Sequence, residues 1–167
     1  MEMLTQNQAS ISHNPLDVLE ELVAANDWAH DRASDRELVV QIKGKWADYN
    51  VCSFWQPEVG AMYLSCQLDI KVPALRREAL REVLVAANEQ LWMGHFDFCS
   101  DDDLLLFRHT IPLRGTSGVS VEQLEDMVDT ALIECDRIYP AMQMVIWGGQ
   151  APADAIAVAL MDTIGEA

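Results

Sequence analysis

The chain has 167 residues, 27 acidic against 11 basic, giving a net charge of −16 and a sequence pI near 4.3. A field this negative repels phosphate backbones and anionic lipid, so nucleic acid and membrane surfaces are excluded as natural partners. With 50% apolar residues and the length of one ordinary domain, the chain can bury a core without disulfide or metal staples.

Residues 1–13 are polar and aperiodic, and a flexible arm is expected there. They carry neither the basic start nor the apolar run of a secretory signal. No window nears the ~18 to 20 apolar residues of a membrane span. Cys52, Cys66, Cys99 and Cys135 form no C-x-x-C pair, so a cytoplasmic protein with free thiols is expected.

Asn14-Pro15 reads as an N-cap followed by proline in the first turn, with Asp17 at the positive helix end. Leu16, Leu19, Leu22 and Val23 continue at helical spacing, so a helix should run to Trp28 and Ala29, followed by a charged loop over 30–36. The period then becomes that of strands. Leu38, Val40 and Ile42 alternate with polar neighbours, 49–55 is rich in aromatic and branched residues, and Met62, Leu64, Cys66, Leu68 and Ile70 share one face of a third strand. Short turns at 45–48 and 56–60 make these three a meander.

Beyond Pro73, Leu80, Val83, Leu84, Ala87 and Leu91 mark an amphipathic helix that Gly94 should close, with Glu78 and Arg81 spaced to pair. Residues 95–99 and 104–113 form a hairpin through Ser100-Asp101-Asp102-Asp103. Ser120 and Gln123 form a capping box for a long helix striped by Leu124, Val128, Leu132, Cys135 and Ile138. Pro140 should kink or break that helix. Gly148-Gly149 then leads to an amphipathic segment over 152–164. The order α-β-β-β-α-β-β-α plus a C-terminal helix gives an α+β fold: an antiparallel five-stranded sheet with helices packed on it. The domain should span 14–148, between the arm 1–13 and a terminal helix at 149–167.

Chemistry is sparse. Asp101, Asp102 and Asp103 lack the alternating ligand spacing of a calcium loop and suit a turn instead. His13, His30, His95 and His109 form no ligand pair, so no metal and no cofactor is expected. Cys99 and His109, on paired strands, are the one candidate for a thiol-dependent or hydrolytic enzyme, although Asp97 and Asp101 would raise the thiol pKa. There is no nucleophile elbow, phosphate loop or dinucleotide fingerprint. Trp28, Trp46, Trp55, Trp92 and Trp147 sit near element ends, and Tyr139, Met142, Met144 and Trp147 cluster after Pro140. Most should be core. Those left over suit a protein interface.

The run Ala86-Ala87-Asn88-Glu89-Gln90-Leu91, then Gly94-His95-Phe96-Asp97, then Leu104-Leu105-Leu106-Phe107-Arg108 and Leu113-Arg114-Gly115 resembles the YbjN family of bacterial sensory transduction regulators. The resemblance covers about 14–147 and leaves the glycine pair and last helix outside it. It implies a fold similar to class I type III secretion chaperones, which are small acidic homodimers that bind extended segments of other proteins without catalysis. It brings no catalytic residues, and it makes Glu89 and Arg108 structural or partner-contacting. The expectation is therefore a non-enzymatic homodimeric adaptor or chaperone-like module for another protein or peptide. Trp55, Tyr63, Arg108, Met142, Met144 and Trp147 are the candidate contact residues.

Overall fold

A computed structural model describes residues 13–162. The arm expected over 1–13 lies, apart from His13, outside the described residues. Asn14 caps α1 (Pro15–Ala25), its side chain accepting from the Leu16 N–H at 3.0 Å. Asn26 closes the helix, and Asp27 reverses the chain with φ of 56°. The helix is therefore shorter than its periodicity suggests. The expected charged loop is a strand, β1 (Ala29–Ser34), so the sheet has six strands rather than five. β1 escapes an apolar pattern because it is an edge strand, exposed on most of its length. Arg32 holds it to α1 through Asp17 and Glu20, each at 3.0 Å.

The meander follows as β2 (Glu37–Lys43), β3 (Asp48–Gln56) and β4 (Ala61–Leu68). A 3-10 turn leads into α2 (Arg77–Asn88), which stops well before Gly94. Gly94, at φ of 71°, instead admits the chain to β5 (His95–Cys99); a Cβ there would run into the Phe107 ring and the Arg108 carbonyl. The Asn88 side chain fixes that entry, accepting from Phe96 N–H at 2.7 Å and donating to its carbonyl at 3.0 Å. Glu78 and Arg81 form no ion pair; the Arg81 guanidinium lies 5.9 Å over the Phe98 ring.

β6 (Leu104–Pro112) completes an antiparallel sheet of order β1-β2-β3-β4-β6-β5. α3 (Val121–Ile146) starts at the Ser120–Gln123 capping box and passes through Pro140 as helix. A proline there costs the Asp136 carbonyl its N–H partner, about 3 kcal/mol by the usual measure. Burial of Ile138, Tyr139, Ala141 and Met142 around it outweighs that loss. α4 (Pro152–Asp162) follows and packs on α2 and α3.

Strand register assigns every side chain a face. Leu38, Val40, Tyr49, Val51, Met62, Leu64, Cys66, Leu105 and Phe107 point under α1, α2 and α3 and form one core with Leu16, Leu19, Leu80, Leu124 and Met142. A polar tie crosses it: the fully buried Tyr49 donates its hydroxyl to Asp136 at 2.7 Å, and the Lys45 N–H donates to the same carboxylate at 2.9 Å. A Cβ on Gly44 would meet Asp136 Oδ1 at 2.8 Å, so this corner admits only glycine.

Candidate functional site

Among the described residues no helix packs on the opposite face of the sheet. The register brings Phe54 on β3 directly opposite Tyr63 on β4, with ring centroids 5.7 Å apart. Val39, Cys52, Ser65 and Leu106 continue this side on either flank, by the same alternation. The centre is thus aromatic, with the Glu37 carboxylate of β2 directly opposite Phe54. A shallow hollow of about 330 Å³ opens beside it, lined by Arg36, Phe54, Trp55, Gln56 and Tyr63. Arg36 is held there by Glu58 at 2.7 Å, whose carboxyl is held below its ordinary value by a backbone N–H and by Arg36.

Toward β5 the face becomes polar. Arg108 pairs with Asp97 and donates from Nε to His95 Nε2 at 3.1 Å. That hydrogen bond requires the accepting nitrogen of His95 to be unprotonated. Cys52 offers no nucleophile, since burial above all, with Glu37 and Cys66 adding to it, raises its thiol pKa.

The expected contact residues separate. Tyr63 and Arg108 lie on this face, two rungs apart in the sheet. Trp55 is 7% exposed and Met142 0%, so both belong to the core and Met142 has no surface to offer a partner. Met144 is half-buried at the end of α3, whereas Trp147 is 58% exposed beside the glycine pair. Phe54, the partner of Tyr63, escapes sequence reading because Trp55 next to it is the larger aromatic. Its signal is the alternation, which puts adjacent aromatics on opposite faces.

The thiol-dependent alternative fails on geometry. Cys99 pairs with Leu104 at the hairpin end, while His109 pairs with Leu64. Five strand steps separate Leu104 from His109, roughly 17 Å, and the odd spacing puts the two side chains on opposite faces. Burial, then His95, lowers the His109 pKa. Cys99 Sγ donates instead to Asp102 at 3.3 Å. The three aspartates turn apart, with Asp103 at φ of 51° and 3.6 Å from Arg77. Among the described residues no three His, Cys, Asp or Glu side chains converge as metal ligands would. A second depression, about 410 Å³, lies on the outer side of α2 along Glu78, Glu82, Val85 and Glu89. It is an open, solvated helix face.

No helix among the described residues is long and apolar enough to cross a membrane. A family model described as "YbjN: Putative bacterial sensory transduction regulator" matches residues 15–144. Among solved structures, the chain is similar to the one titled "Crystal structure of YbjN, a putative transcription regulator from E. coli", at TM-score 0.52 and 15% identity over 72% of this chain and 85% of that one. It is also similar to the "Crystal Structure of the ExsC-ExsE Complex", at TM-score 0.47 and 12% identity over 72% of this chain and 90% of that one. No curated protein matches the chain.

Proposed function

Because the chain belongs to the YbjN family, we propose that it is a non-enzymatic protein-binding module, a regulatory adaptor of chaperone-like type that acts as a homodimer in the cytoplasm. The observation that supports this reading best is the sheet face that no helix among the described residues covers. Its paired Phe54 and Tyr63 rings are the type of large, rigid side chain that anchors protein interfaces. Glu37, opposite Phe54, puts a carboxylate beside the rings, which in a chain of net charge −16 favours a partner segment carrying basic side chains. Arg108 and Asp97 supply a polar margin.

A photoreactive benzoylphenylalanine at Tyr63 tests the reading, with the same group at the exposed Asp129 of α3 as control. Position 63 is expected to crosslink one or a few discrete proteins in cells, and position 129 none of them. Identical labelling from both positions defeats the assignment of the face. For the dimer, light scattering should give twice 18.7 kDa; a mass of 18.7 kDa across micromolar concentrations overturns it.

A further inference from the structure

α4 differs in kind from the other helices. α1, α2 and α3 press large side chains onto the sheet, whereas α4 packs on α2 and α3. What it inserts is small: Ala155 and Ala159, one turn apart, are buried, and Ile156 packs beside them. The family match ends at residue 144, before α4 begins. α2 and nearly all of α3 thus fall within the matched span, and α4 lies beyond it.

The attachment is equally distinct. Trp147, Gly148, Gly149 and Gln150 are exposed, and Gly149 sits at φ of 62°. Arg76, just ahead of α2, latches the link, donating from Nε to the Val145 carbonyl at 2.7 Å and from Nη2 to the Gln150 carbonyl at 3.0 Å. An 11-residue helix has marginal stability of its own, so α4 persists because the groove holds it. Trp147 at the end of α3 and Met161 in the last turn of α4 are both exposed.

We propose that the α2–α3 groove is a helix-docking site and that α4 is its tethered occupant, displaced by an amphipathic helix of a partner protein carrying small side chains one turn apart. The seated α4 defines that chemistry: alanine methyls let two helix backbones approach closely, and longer side chains at those two positions are shut out. The proposal rests on the protein-binding reading but uses a surface separate from the sheet face. Tethering lowers the apparent affinity of any free competitor in proportion to the fraction of grooves standing empty.

The test uses the full chain carrying Ala155→Glu and Ala159→Glu, and a fluorescent peptide copying residues 150–162. The variant is expected to bind the peptide about tenfold tighter than the unaltered chain, because ejecting α4 raises the empty fraction. A peptide with the same two substitutions should not bind. Equal peptide affinity for both chains, with the variant keeping the parent's circular dichroism and cooperative melt, overturns the proposal. If the double variant fails to fold, Arg76→Gln read by hydrogen exchange decides: α4 amides exchanging about tenfold faster while β4 stays protected supports displacement. α4 exchanging with the core in that variant overturns it. Crosslinks from α4 of one labelled chain to α2 of an unlabelled one also overturn it, in favour of exchange between two copies. Loss of labelling at Tyr63 would sink the sheet-face reading and leave this one standing.

Discussion

Leu64 and Tyr63 are neighbours on β4 and face opposite ways. Leu64 is fully buried under the helices, while Tyr63 stands half-buried beside Phe54 with no helix of the described residues above it. The covered face is sealed by close packing and tolerates almost no change of volume. The open face carries aromatic rings at its centre and the ionic group of Arg108, Asp97 and His95 toward β5. The same strands thus hold the fold together on one side and leave a surface available on the other. Stability and binding should therefore respond to different substitutions only one residue apart.

The strongest break is expected at Leu64→Ala, which leaves a cavity at the sheet centre and should cost about 3 to 4 kcal/mol of unfolding free energy. Denaturant unfolding checks it; a loss below about 1 kcal/mol would mean the covered face is not tightly packed.

Tyr49→Phe comes next, because it strips the hydrogen bond to Asp136 and leaves that carboxylate short of a donor, a loss of about 1 to 2 kcal/mol. It also alters the response to alkali. Burial first, then the hydrogen bond and charge of Asp136, raise the Tyr49 pKa in the folded chain. The unfolded tyrosine ionises near pH 10, so stability that is intact below about pH 10 is lost above it, by about 1.4 kcal/mol per pH unit. The phenylalanine variant should lose less over the same range. Parallel alkaline slopes in denaturant titrations of the two proteins would show that the tie does not govern this response.

Ser53→Ala works in the opposite direction. Ser53 lies on the covered face at 0% exposure, and its hydroxyl has no hydrogen-bond partner. Removing the oxygen should raise stability by up to about 1 kcal/mol, seen as a higher unfolding midpoint with unchanged denaturant slope. A clear destabilisation would reveal a partner for that hydroxyl.

The smallest effect on stability is expected at Tyr63→Ala, under about 1 kcal/mol, together with loss of the species captured by the same photoreactive group placed at Phe54. A large stability loss with binding retained would erase the distinction between the two faces.

Much of this contrast is legible in the amino-acid order. Met62, Leu64, Cys66 and Leu68 alternate with Tyr63, Ser65 and Gln67, so the two faces of β4 can be written down before any coordinates. Asn14, Ser120 and Gln123 mark the starts of α1 and α3 by hydrogen bonds made within one turn. Strand register brings Phe54 to Tyr63, but that pairing depends on how the 57–60 turn closes, and Met142 and Trp147, five residues apart, part company only when α3 meets the sheet.

Local signals determined what local hydrogen bonding and side-chain periodicity control: the helix starts, the meander, the hairpin and which face of each inner strand is apolar. Tertiary structure alone decided that β1 is a strand, because an edge needs no apolar face to find its place once Arg32 pairs with α1. It also decided that Pro140 is absorbed within α3, where burial on the sheet outweighs one missing hydrogen bond. Cys99 and His109 were set apart in the same way, since hairpin pairing counts residues from the turn, and an odd count sends two side chains to opposite sides.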